Sequence, residues 1–149
     1  MKLIKVSLFL MMIPLLLLTC SSCKVEDYED MKHIYYEDIL SQKEDDYYVY
    51  VYRYNCAVCE RIKEDVIYYY KNYKKHDLPR LYVLNKGDTE KNQGINAPEE
   101  GPIDFIWTYD YSEIQTAYSP CLIRVRKGQV IAAYDMKTQI LEKLTIVDK

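Results

Sequence analysis

Cys56-Ala57-Val58-Cys59 constrains this chain more than any other feature, because of what flanks it. Upstream runs Tyr47-Tyr48-Val49-Tyr50-Val51-Tyr52-Arg53-Tyr54, a stretch of β-branched and aromatic residues that reads as a buried strand. Downstream, Glu60 to about Lys75 holds no Pro or Gly, and Ile62, Val66, Ile67, Tyr69, Tyr70 and Tyr73 recur at spacings of three and four. That periodicity predicts a helix. A C-x-x-C at a strand-to-helix junction puts its first sulfur at a helix N-terminus, where unpaired N–H groups and the helix dipole favour a thiolate over a thiol. The second sulfur lies one turn on, on the same face, within reach of a disulfide. Thiol–disulfide exchange needs this geometry.

The chain has 149 residues, enough for one domain with a hydrophobic core and too few for two. Seventeen Tyr stand against two Phe and one Trp, and a Tyr-rich strand face reads as core and rim, with hydroxyls reaching water. No basic patch supports a nucleic-acid partner. Residues 24–149 carry 18 basic and 23 acidic side chains, net −5, an ordinary balance for a soluble domain.

The first 23 residues read as a targeting segment. Lys2 and Lys5 form a short basic region, and Val6 to Leu18 is a 13-residue apolar stretch broken only by Ser7 and Pro14. That length suits a secretory signal better than a membrane span. Leu17-Leu18-Thr19-Cys20-Ser21-Ser22-Cys23 follows and resembles a bacterial lipoprotein signal, so either Cys20 or Cys23 is a lipidation candidate. Cys20 has the expected Leu three residues before it but Thr directly before; Cys23 has Ser before it but Cys at the Leu position. A signal peptide or an uncleaved anchor with incidental cysteines is the plainer reading. The expectation is export and attachment to the extracytoplasmic membrane face. Lys24 to Asp30 is polar and acidic and reads as a tether, leaving 31–149 as the domain.

Within that domain, Met31, Ile34, Tyr35 and Ile39 predict a first helix over Met31 to about Gln42. Leu81-Tyr82-Val83-Leu84 is a second strand, and Asn85 to Pro102 reads as a surface excursion. Ile103–Trp107 reads as extended, and Asp110 or Ser112 as the cap of a short turn. Leu122-Ile123-Arg124-Val125 and Gln129 to Tyr134, joined at Arg126-Lys127-Gly128, form a hairpin, and Thr138 to Leu144 a last helix. The order predicts an α/β fold, a mixed central sheet with helices on both faces.

That order, with these motifs in place, resembles the thioredoxin superfamily, in particular the small exported or lipoprotein-anchored members of low-GC Gram-positive bacteria. Three matches carry it. The strand Tyr48–Tyr54 runs into Cys56-Ala57-Val58-Cys59; Tyr118-Ser119-Pro120-Cys121 looks like the family's cis-proline entering a strand; and Lys127-Gly128-Gln129-Val130 looks like the turn and return strand after it. The resemblance implies that Cys56 attacks and Cys59 resolves. It implies too that Pro120 is cis and brings the Ser119 backbone beside the disulfide to pair with an extended substrate peptide. There are departures: Asn55 where Trp is common, Ala57-Val58 where Gly-Pro is common, and Tyr50 where many thioredoxins bury an acid that assists proton transfer. The last argues against a fast thioredoxin-like reductase.

The implied function is a thiol–disulfide oxidoreductase acting on protein thiols and disulfides at the cell surface, with an unidentified redox partner and no dissociable cofactor. Its alternative is a non-catalytic binding or accessory lipoprotein whose disulfide is structural. A bridge between residues three apart removes little unfolded-chain entropy, which favours the redox reading. Structural zinc wants four ligands, and His33 and His76 are isolated, so no metal is expected. Cys121 is either a small buried hydrophobe or an auxiliary thiol that shifts the couple.

Overall fold

The computed structural model describes residues 24–97 and 101–146. The expected signal segment, with Cys20 and Cys23, lies outside them.

Strands β1 (Asp46–Tyr52), β2 (Arg80–Asn85), β3 (Cys121–Arg126) and β4 (Gln129–Tyr134) form one sheet in the order β2-β1-β3-β4. β1 is parallel to β2 and antiparallel to β3, and β3 is antiparallel to β4. The parallel pair requires a crossover, which α1 (Ala57–Arg61) and α2 (Lys63–Asn72) supply. The β3–β4 turn holds Lys127 at φ 50° and Gly128 at φ 72°, the doubly left-handed loop that matches the twist of a tight hairpin. A one-turn α3 (Thr89–Asn92) and the closing α4 (Lys137–Leu144) complete the order.

Side-chain alternation along β1 divides the core in two. Tyr48, Tyr50 and Tyr52 face Val66 and Tyr69 of α2 and Ile140 and Leu144 of α4. Tyr47, Val49 and Val51 face the other way, onto Ile34, Ile39, Ile95, Phe105 and Ile114. Helices cover the first layer. The second is covered by short 3-10 turns, α3 and irregular chain.

Five expectations change. Met31–Gln42 is not an α-helix: the chain is extended at 32–34, where Ile34 N–H donates to the Val83 carbonyl (3.0 Å) and Val83 N–H to that of Lys32 (3.1 Å), and a 3-10 turn follows at Tyr36–Asp38. The apolar residues at spacing three and four serve a β-bridge and a turn instead. The single helix predicted from Glu60 is broken at Ile62 (φ −113°, ψ 8°). The excursion after Asn85 is not superficial, since Lys86, Asn92 and Ile95 are buried and Asn92 bridges the Tyr36 N–H and the Asn85 carbonyl. Gly94 belongs to this packing: a Cβ there would lie 2.1 Å from the Tyr36 ring. The expected tether is folded from Asp27 onward. Asp27 caps a 3-10 turn at Tyr28–Asp30, and Tyr28 is buried in the first core layer. The stretch 103–107 is irregular, not a strand; Trp107 N–H donates to Val130 (2.8 Å) and Val130 N–H to Thr108 (3.0 Å), closing the β4 edge.

Candidate redox site

β1 ends at Tyr52, and Asn55, at φ 57°, turns the chain into α1. Asn tolerates this left-handed conformation because its short polar side chain bonds locally. Cys56 is then the N-cap of α1, with extended backbone, and the Cys59 N–H points at Cys56 Sγ from 3.1 Å. Cys56 and Cys59 are joined in a disulfide with their Cα atoms 5.2 Å apart. Cys56 is 6% exposed and Cys59 1%, so the first cysteine is the more accessible of the two.

The other wall comes from the loop before β3. The Ser119–Pro120 bond is cis, and the Ser119 carbonyl oxygen lies 3.4 Å from Cys56 Sγ. In the disulfide neither sulfur carries a proton, so this is a contact; a Cys56 thiol could donate across it. Pairing of Val51 with Cys121 fixes the loop against the end of β1. Ser119 Oγ is buried and has no hydrogen-bond partner among the described residues. Cys56, Cys59, Ser119 and Pro120 therefore come together as the motifs imply.

Cys121 does not join them. It lies in the second core layer, on the opposite face of the sheet from the disulfide, and burial pushes its thiol up to about 12. Its position is that of a small buried hydrophobe.

Tyr50, six residues before Cys56, is fully buried in the same core layer as the disulfide. Burial drives its hydroxyl far above the ordinary tyrosine range, so it stays protonated. Its oxygen lies 3.2 Å from Tyr28 Oη, and Tyr28 donates to the Cys59 carbonyl at 2.7 Å. Lys63 bonds Asp27 (2.9 Å) and Glu60 (3.1 Å) and sits 5.7 Å over the Tyr28 ring. These carboxylates offset the positive potential that Lys63 would otherwise lend the sulfurs; the Asp27 bond raises the ammonium pKa and lowers that of the carboxyl.

Sequence reasoning missed two residues here. Tyr28 sits in a stretch whose acidic composition reads as solvated, and only its spacing from Val25 hinted at an apolar face. Lys86 precedes a glycine in an apparent loop, yet it is 5% exposed and gives a 2.7 Å bond to the Thr116 carbonyl; burial lowers its pKa.

No protein-family profile and no curated protein matches the sequence. Solved structures do match. Mitochondrial thioredoxin 3 of Saccharomyces cerevisiae, in its oxidised form, superposes with TM-score 0.53 at 11% identity, over 80% of this chain and 97% of that one. A structure from yeast that describes the thiol-resolving mechanism of mitochondrial 1-Cys peroxiredoxin via glutathione/thioredoxin systems gives 0.52 at 10% identity, over 80% and 97%. Thioredoxin f2 of Chlamydomonas reinhardtii gives 0.51 at 11% identity, over 75% and 91%. The chain has a thioredoxin-like fold. Within that fold it carries a C-x-x-C disulfide at the end of β1, beside a cis-proline loop.

Proposed function

We propose that this protein is a thiol–disulfide oxidoreductase that exchanges the Cys56–Cys59 couple with cysteines of proteins outside the cytoplasm, tethered to the membrane through its N-terminal segment. The observation that carries the chemistry is the Cys59 N–H aimed at Cys56 Sγ from 3.1 Å. A donor there favours a thiolate, the nucleophile in exchange. The reduced protein attacks a substrate disulfide through Cys56 and forms a mixed disulfide; the displaced substrate thiolate takes a proton from solvent. Cys59 then gives its proton to solvent and attacks Cys56 Sγ, restoring the internal disulfide and releasing the second substrate thiolate. Two electrons pass from the dithiol to the substrate, and the same atoms run the step in reverse. The Ser119 backbone beside Cys56 Sγ offers an extended peptide an edge to pair with.

The test is trapping. Cys59→Ser should accumulate mixed disulfides with partner proteins, because Cys56 still attacks and nothing resolves; Cys56→Ser should trap none. Equal trapping by both variants would overturn the assigned roles. No trapping by either, with the double Ser variant retaining its biological role, would leave a binding protein with a structural disulfide. The tethering is read separately by fractionation. Replacing both Cys20 and Cys23 by Ser should release the protein from membranes or leave a longer precursor, whereas unchanged processing and retention would point to an uncleaved anchor.

A further inference from the structure

A chain of hydrogen bonds connects the sheet core to the first cysteine. Tyr28 has one hydroxyl proton and gives it to the Cys59 carbonyl at 2.7 Å, so across the 3.2 Å contact Tyr50 is the donor and Tyr28 the acceptor. The Cys59 carbonyl belongs to the same peptide unit as the Glu60 N–H, which donates to the Cys56 carbonyl at 3.0 Å. Each donor along such a line polarises the next. The line runs Tyr50 to Tyr28, through peptide 59–60, to Cys56, and it closes the first turn of α1. That turn also presents the Cys59 N–H to Cys56 Sγ. The break at Ile62 follows at once, so the turn lacks a continuous helix behind it. Tyr28 is the only member contributed from outside the strand–helix unit. It is held in place by the Asp27 cap, the Asp27–Lys63 ion pair and its ring contacts with Tyr50 and Tyr52 at 5.4 and 4.6 Å.

We propose that Tyr28, delivered by the 3-10 turn at Tyr28–Asp30, is a positioning residue for the Cys56–Cys59 couple, holding the turn that aims the Cys59 N–H at Cys56 Sγ. This rests on the redox reading of the site. A neutral disulfide sulfur gains little from an N–H donor, while a thiolate gains a charge-assisted bond. Tyr28 therefore stabilises the reduced form and makes the couple more oxidising, the relation by which a stabilised reduced form raises a potential.

Tyr28→Phe keeps the ring and removes the hydroxyl. In a dithiothreitol redox buffer the Cys56–Cys59 equilibrium of the full chain should shift toward disulfide by about fivefold, roughly 20 mV for a two-electron couple. Alkylation of reduced Cys56 by iodoacetamide at neutral pH should slow with it. Tyr50→Phe removes only the far donor and should shift the equilibrium the same way but less. A Tyr28→Phe midpoint within 1.5-fold of wild type, about 5 mV, a shift toward dithiol, or an equal or larger shift from Tyr50→Phe would overturn the proposal; the last would mean that loosening of the tyrosine layer, not the Cys59 bond, moves the couple. The midpoint is a property of the disulfide itself and can be measured in a protein that turns over no substrate. Failure of the wild type to trap or reduce partners would strike the proposed function while these midpoints still decide the role of Tyr28.

Discussion

At the scale of residues, the site's chemistry turns on which groups sit beside two sulfurs and which do not. A tyrosine stands where an acid would serve proton transfer, and burial keeps its hydroxyl protonated, so it offers no base. In the proposed exchange, the proton of Cys59 therefore leaves to solvent. Cys121, despite following the cis-proline directly, belongs to the layer beyond the sheet. Cys121→Ala should leave the Cys56–Cys59 midpoint and the trapping pattern unchanged while lowering stability by about 1 kcal/mol, as expected when one small apolar atom leaves a packed core. Chemical denaturation and the dithiothreitol midpoint read the two effects separately. A moved midpoint with unmoved stability would make Cys121 an auxiliary thiol after all.

At the scale of elements, legibility followed locality. β1, β2 and the hairpin were readable because β-branched and aromatic runs are bounded by turn residues, and Lys127-Gly128 supplies the φ values the turn demands. The Cys56–Cys59 pairing was readable from the C-x-x-C spacing, and the cis Ser119–Pro120 wall only from the resemblance its motif carries. What was not readable depends on tertiary partners. Met31, Ile34, Tyr35 and Ile39 fit a helical face, but backbone pairing with Val83 holds 32–34 extended. Tyr28 looks solvated in sequence because its neighbours are Asp27, Glu29 and Asp30; their carboxylates and its ring point to different environments. Gly94 reads as a loop glycine, whereas its role is to admit the Tyr36 ring at a distance no Cβ allows. No local pattern announces a glycine of that kind.

At the scale of the whole molecule, the tyrosine-rich core makes folding and proton binding one problem. Burial pushes Tyr28 and Tyr47 up to about 12, and Tyr50, Tyr52, Tyr69 and Tyr82 further still. In an unfolded chain tyrosine ionises near pH 10, at about its model-peptide value. The folded state thus holds these protons more tightly, and the stability they contribute is complete below about pH 10 and is lost as pH rises toward and past 12. Buried Lys86, with its lowered pKa, acts in the opposite sense over the alkaline range, but it is one group against six. Tm should fall steeply above about pH 10, with tyrosinate absorbance of the buried set rising in one step with the loss of far-ultraviolet circular dichroism. Ionisation of all the tyrosines with the dichroism intact would mean that the core admits water.

The hydrogen bonds that fasten residues 32–34 to Val83 and Trp107–Thr108 to Val130 sit on the two outer margins of the sheet. A sheet this rich in tyrosine and valine would otherwise display two unpaired margins, each a template on which the same strand of a neighbouring copy could add. Here each margin is interrupted by a piece of the protein's own irregular chain. Crowded copies thereby lose the simplest route to stacking into a fibre, so two irregular segments guard the sheet against polymerisation.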